Sequence, residues 1–221
     1  MSAIVLSIRG LRKSFARGLA RCTHRKLAIT DVDLDLFHSE IVGLAGCEGA
    51  GKTTLLQCAC GLLRPDSGSV IARHPVAYVP PVPIYYPFLT VRDVISIRAS
   101  RAAPRGTETL GETLDLLELY HARNEIVATL TPAELVRLSI AEAIIGNPRA
   151  VLIDTSGAAP FIDGPGVQHA LSRIASAGTA IMIAGRDCGA LESVAARVIL
   201  LREGSIVNDQ PAPMFVAERL H

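Results

Sequence analysis

The chain lacks an excess of charge of either sign: 22 Lys+Arg stand against 21 Asp+Glu. Nothing in that balance favours non-specific binding to nucleic acid or to an acidic membrane surface, and no nucleic-acid partner is expected. Charge is also sparse, at 19% of residues against 49% hydrophobic. Yet the sequence has no uninterrupted apolar run of about 18 residues that could span a bilayer, so the apolar share points to a soluble protein with large partner-facing surfaces. Paired cysteines are missing too. The five cysteines are odd in number and none forms a C-x-x-C. Cys58 and Cys60, two apart on a predicted helix, face different sides, so packed thiols in a reducing cytoplasm are expected rather than a metal site. Met1–Phe15 carries only a short apolar run followed by Arg9, Arg12 and Lys13, which does not read as a secretory signal. A length of 221 residues fits one domain with room for an inserted subdomain.

What is present is a single organising stretch, Gly46-Cys47-Glu48-Gly49-Ala50-Gly51-Lys52-Thr53-Thr54, which fits the phosphate-binding pattern G-x-x-x-x-G-K-[ST]. Glu40–Ala45 before it reads as a buried strand. Leu55, Leu56, Cys58, Ala59, Leu62 and Leu63 after it recur at helical spacing. Glycines at 46, 49 and 51 allow backbone conformations closed to residues with a Cβ, so that successive N–H groups can turn around phosphate oxygens. The following helix points its positive end at the same place. Lys52 supplies a point charge for the β- and γ-phosphates and Thr53 a hydroxyl for Mg²⁺. A glycine-rich junction can be a tight turn and nothing more, but Gly-Lys-Thr following it favours the nucleotide.

Around this stretch strands alternate with helices. Ile4–Ile8, and Val32, Leu34 and Leu36 alternating with Asp31, Asp33 and Asp35, predict antiparallel strands. Phe15 stands between them among Arg17, Arg21, His24, Arg25 and Lys26, a basic run expected to be a solvated loop. Leu63–Val70 ends the helix with a proline and turns into a strand, and another short strand over Val76–Val79 precedes Pro80, Pro81, Pro83 and Pro87, a stiff connector that cannot join a central sheet. Thr90-Val91-Arg92-Asp93 and Thr131-Pro132-Ala133-Glu134 both have the spacing of a capped helix start. Leu110, Leu114 and Leu117 mark a helix between them. Val151–Asp154 and Ala180–Ala184 read as buried strands, and Val198–Leu201 with Ser205–Val207 as a hairpin about Arg202-Glu203-Gly204. The expected class is α/β: a P-loop nucleotide-binding core with a mostly parallel sheet, N-terminal antiparallel strands and an inserted helical subdomain. Its expected parts are residues 1–80 and 149–221 for the core and 81–148 for the helical insertion.

The order of these motifs resembles the ATP-binding subunit of ABC transporters over essentially the whole chain. GAGKTTLLQCACGLLRPDSGSV, YPFLTVRDV, LVRLSIAEAIIGNPRAVLID and RVILLREGSIV carry the likeness. The resemblance implies an ATP- and Mg²⁺-binding core and a helical subdomain that docks on a transmembrane permease subunit. It also implies a head-to-tail partnership with a second ATP-binding subunit, peripheral on the cytoplasmic face of the cell membrane. Asp154 matches the aspartate that orients Mg²⁺, and Phe15 matches the adenine-stacking aromatic, although a lone phenylalanine is as readily a core residue.

The departures fall on the family's catalytic positions. Thr155 stands where the resemblance implies the glutamate that polarises the attacking water, and a hydroxyl has no basicity near neutral pH. Pro81 stands at the Q-loop glutamine and Arg186 at the switch histidine, a donor-only side chain that does not titrate. The D-loop, Ser156 to Asp163, is longer than the family pattern. The signature LSGGQ becomes Leu130-Thr131-Pro132-Ala133-Glu134: Pro132 deletes an N–H, Ala133 adds a Cβ, and Glu134 can fold back on Thr131 in a capping box, leaving only the Thr131 hydroxyl. Glu48 would weaken phosphate binding if it faced inward; an outward rotamer is the blander case. These departures lead to the expectation of a subunit that binds ATP but hydrolyses it weakly or not at all, paired with a non-identical ATP-binding subunit; an active ATPase motor is the alternative. A GTPase or kinase is disfavoured, because no guanine-reading Asn-Lys-x-Asp occurs.

Overall fold

Four short runs spread along the sequence, Ile41–Ala45, Ala150–Asp154, Ala180–Gly185 and Arg197–Arg202, are buried along nearly their whole length. Strands covered on both faces have this apolar signature. In the computed structural model, which describes residues 3–17, 24–73, 75–101, 110–156 and 164–212, they form the centre of a six-stranded sheet.

In chain order the elements are β1 (Ile4–Arg17), β2 (His24–Phe37), β3 (Ile41–Ala45), α1 (Lys52–Ala59), β4 (Ser67–Ala72), β5 (Val76–Val79), α2 (Val91–Arg101), α3 (Leu110–Leu116), α4 (Pro132–Ile144), β6 (Ala150–Asp154), α5 (Pro165–Ser176), β7 (Ala180–Gly185), α6 (Cys188–Glu192), β8 (Arg197–Arg202) and β9 (Ser205–Pro211). The large sheet runs β5-β6-β7-β3-β8-β9, parallel except for β9. A second, antiparallel sheet runs β2-β1-β4.

Alternation along the central strands sorts the core into two layers. Ile153, Ile181, Ile183, Val198 and Leu200 face the cluster built with α2, α4 and α5. Val42, Leu44, Leu152, Met182, Ile199 and Leu201 face the antiparallel sheet and α1. Each strand thus feeds both layers, as the period of 2 requires.

Both capped helix starts form. Thr90 Oγ1 donates to Asp93 Oδ2 at 2.6 Å and accepts from the Asp93 N–H at 3.1 Å. Thr131 and Glu134 close the same reciprocal box at α4. The turn of the C-terminal hairpin has Glu203 at φ 48° and Gly204 at φ 82°, positive at both central positions as a two-residue hairpin of the right twist demands.

Two expectations shift. The basic run is not a loop at its ends: β1 continues to Arg17 and β2 begins at His24, with Phe15 opposite Lys26 and Ala16 opposite Arg25, while Arg21 lies outside the described residues. Backbone pairing here outweighs the polar composition that suggested solvation. Helix α1 also ends sooner than its spacing predicts. Cys60 caps it and Gly61 turns at φ 79°, leaving Leu62 67% exposed.

Candidate functional site

Parallel register brings three sequence-distant points to one edge of the sheet. Ala45 lies level with Gly185, and Leu44 and Asp154 both lie level with Ala184. The residues that follow, Gly46, Thr155 and Arg186, therefore emerge side by side at the carboxyl ends of the strands, the usual place for a ligand in such sheets.

The glycine loop is held from two sides by backbone. A Cβ at Gly46 would stand 2.5 Å from the Leu201 carbonyl oxygen, and one at Gly51 would overlap that of Ala28. Gly51 also has φ 107°, a conformation that L side chains rarely adopt. Gly204 N–H donates to the Ala50 carbonyl at 2.9 Å, and the Gly204 carbonyl accepts from Thr30 N–H at 2.8 Å. Glycine here answers packing as much as phosphate. Only Gly49, at φ 78° with nothing within 4 Å of a built Cβ, faces open space. Helix α1 then starts with no side-chain cap and no acidic residue in its first turn, so its first N–H groups have no acceptor within the helix.

Lys52 is 3% exposed. Its ammonium donates to the Gly46 carbonyl at 2.7 Å and the Cys47 carbonyl at 2.9 Å. Burial pushes its pKa down, and the nearby Asp154 carboxylate opposes that shift.

Asp154, 2% exposed, accepts from Ser156 N–H at 2.9 Å on Oδ1, while the Tyr78 hydroxyl lies 3.4 Å from Oδ2. Burial, and then the Asp154 charge, raise the Tyr78 pKa, so the phenol keeps its proton. Tyr78 was not singled out in the sequence. Its tie to Asp154 depends on the pairing of β5 with β6, which places Tyr78 beside Leu152, and no local pattern announces that pairing.

Phe15 is not in the core: it is 43% exposed. It lines a cleft of about 420 Å³ together with Lys26, Gly49, Lys52, Thr53 and Pro81. Ser156 borders the same cleft; its buried hydroxyl has no hydrogen-bond partner among the described residues. The rest of the D-loop, Gly157 to Asp163, lies outside the described residues.

Thr155 does not line that cleft, and its hydroxyl donates to the Ala184 carbonyl at 2.7 Å. Glu48 borders the same cleft with its side chain 88% exposed, and meets Arg186 at 3.5 Å. At the start of α4 the Thr131 hydroxyl donates to Glu134 Oε2 at 2.7 Å, and Glu134 Oε1 lies 3.3 Å from His121 Nε2. The Thr131 hydrogen bonds hold the Glu134 carboxyl below its ordinary pKa. The one hydroxyl left in the altered signature is therefore already committed within the chain.

The donor set suits a nucleotide with Mg²⁺. Among the described residues no cluster of three or more His, Cys, Asp or Glu could hold a metal by itself. A hydroxyl and one carboxylate, completed by phosphate oxygens and water, is the ordinary environment of Mg²⁺.

Comparison with known proteins agrees with this geometry. The family described as "ABC transporter" matches residues 29–156. The uncharacterised ABC transporter ATP-binding protein YdbJ of Bacillus subtilis is 29% identical over 220 residues, covering 93% of this chain and 69% of that one. The lipopolysaccharide export system ATP-binding protein LptB of Escherichia coli K12 is 26% identical over 214 residues, covering 87% and 88%. Among solved structures, a dimeric ATP-binding cassette in a post-hydrolysis state with ADP and Pi superposes with a TM-score of 0.80 at 21% identity, covering 96% of this chain and 100% of that one. Among the described residues no helix is long and apolar enough to cross a membrane.

Proposed function

We propose, from the premise that this chain belongs to the ABC transporter family of ATP-binding subunits, that it binds ATP with Mg²⁺ and turns it over weakly or not at all. Its place is as a structural or regulatory half of a membrane transport complex. The observation that carries this reading is Thr155: its hydroxyl is spent on the Ala184 carbonyl at 2.7 Å, where the family resemblance calls for a carboxylate.

Binding rests on the glycine cradle and the bare start of α1, with Lys52 as the charge for the phosphates and Phe15 as the face for the base. Thr53 and Asp154 would hold Mg²⁺, which when bound neutralises phosphate charge. Of the remaining positions, Pro81 offers no side-chain hydrogen bond, and Arg186 brings a cation but no titratable base. Loss of a positioned base alone typically lowers a rate by 10²- to 10⁴-fold.

The self-capped start of α4 supports the second part of the reading. In a symmetric pair each nucleotide would face Glu134, a carboxylate already hydrogen-bonded at the helix start. A non-identical partner with an intact signature would complete this chain's cradle without that repulsion. The complex would sit on the cytoplasmic face of the cell membrane. Residues 81–148 would act as the helical unit that meets the transmembrane permease, and residues 1–80 and 149–221 as the nucleotide-binding core.

Two measurements test this: ATP affinity and phosphate release, on the purified chain alone and on the complex that co-purifies from membranes. Tight binding with negligible release by the chain alone is expected. Brisk turnover by a homodimer, abolished by Lys52→Ala, would instead make the chain an active motor. Thr155→Glu alone is expected to leave phosphate release unchanged, because Pro81 and Arg186 still lack the contacts that a water and the γ-phosphate need; a large gain would show the carboxylate to be the only missing part.

A further inference from the structure

Asp154 is nearly fully buried, and a buried carboxylate needs its plane fixed if it is to present one oxygen edge to a cation. The χ2 torsion of aspartate is broad and roughly two-fold, so the side chain does not fix that plane by itself. Two chain groups address its two oxygens: Ser156 N–H donates to Oδ1 at 2.9 Å, and the Tyr78 hydroxyl lies 3.4 Å from Oδ2. Tyr78 on β5 therefore reaches across to the carboxylate at the end of β6.

Tyr78 also packs against the core layer shared with α1 and the antiparallel sheet. It lines a second cleft of about 360 Å³ with Val76, Pro80, Pro83, Ile84 and Tyr85. Pro81, three residues further on, lines the nucleotide cleft without a polar side-chain atom. Of the residues from Val76 to Pro81, Tyr78 alone carries a side-chain hydrogen-bonding group.

We propose that Tyr78 is a positioning residue of the nucleotide site: its phenol holds the Asp154 carboxylate in the plane that accepts Mg²⁺, a task the proline at position 81 cannot share. The inference rests on the reading of Asp154 as the metal carboxylate. The 3.4 Å separation is long for O–H···O, so the hydroxyl orients the carboxylate rather than adding much binding energy of its own. Removing an outer partner of a metal ligand typically lowers metal affinity 10- to 100-fold, and the long contact places Tyr78 at the lower end.

The test is calorimetric titration of the full chain and its Tyr78→Phe variant with ATP, once with excess Mg²⁺ and once with EDTA. Phenylalanine keeps the ring and removes only the hydroxyl. The expected result is affinity about 10-fold weaker with Mg²⁺ and unchanged in EDTA. Equal weakening in both arms would mark a packing role and overturn the proposal, as would no change in either. Should Tyr78→Phe not yield folded protein, Tyr78→Leu, which also lacks the hydroxyl, is expected to give the same loss confined to the Mg²⁺ arm; its absence overturns the proposal. Wild-type protein that binds no ATP in either arm overturns the nucleotide-site reading together with this one. Mg²⁺-enhanced binding that Tyr78→Phe leaves intact overturns only the role of Tyr78.

Discussion

Helices α1 and α4 begin in opposite ways. Helix α1 enters from Gly51 at φ 107°, with no side-chain cap and no carboxylate in its first turn. Helix α4 enters from Thr131 in an extended conformation, with proline next and Glu134 closing a capping box. The same four orphan N–H groups exist at the start of any helix. At α1 they are left for something from outside, and at α4 the chain supplies its own acceptors. An uncapped start gives up stability of about 1 kcal/mol and keeps an anion site; a capped start does the reverse.

That contrast can be broken most sharply at Lys52. Lys52→Ala removes the one buried cation in the cradle among the described residues, and ATP affinity should fall on the order of 100-fold, the scale of about 3 kcal/mol for truncating one side of a buried charge pair. Titration calorimetry reads the loss; a change under 3-fold would deny α1 its role. Gly51→Ala comes next. Its Cβ would overlap the Ala28 carbonyl at a strained φ, so thermal unfolding should show a loss of about 3 kcal/mol. Were Gly51 needed only for phosphate, the melting temperature would hold and ATP affinity alone would drop.

Thr131→Ala opens the box at α4 and should destabilise by about 1 kcal/mol. The pH dependence has a definite sign. The Glu134 carboxyl is held below its ordinary value of 4.5, so its contribution is complete above that value and fades as pH falls through the lowered folded-state pKa. The gap in melting temperature between wild type and Thr131→Ala should therefore be constant at neutral pH and narrow in acid. Glu48→Gln carries the smallest effect. The Glu48–Arg186 pair is exposed on both sides, and such pairs contribute at most about 1 kcal/mol. Removing the negative charge and freeing Arg186 should raise ATP affinity by roughly 2- to 5-fold, an effect that high salt should erase.

What could be read from the sequence was what is local. The capping boxes at Thr90 and Thr131 involve residues three apart, and β3, β6 and β7 are continuous apolar runs. The glycine loop was legible as a pattern but only half understood. Gly46 and Gly51 also answer the carbonyls of Leu201 and Ala28, partners far away in the sequence. Phe15 stayed ambiguous because its exposure is set by the β1–β2 register opposite Lys26. Helix α5 gave little signal, since its start has neither a side-chain cap nor an acidic residue, and α6 is only five residues long. Tyr78 and the commitment of Thr155 to Ala184 could not be found at all without the order β5-β6-β7.

The Glu203-Gly204 turn, which donates to Ala50 and accepts from Thr30, sets a schedule for the molecule. Peptide leaves the ribosome from the N-terminus, and the glycine loop emerges more than a hundred residues before the hairpin that props it. Contacts of such long sequence separation form late. During synthesis the cradle cannot reach its final shape until β8 and β9 have docked, so the nascent chain gains its nucleotide site only after this hairpin has emerged. A chain released early, short of this hairpin, would carry the full phosphate-binding motif and still have no floor beneath it.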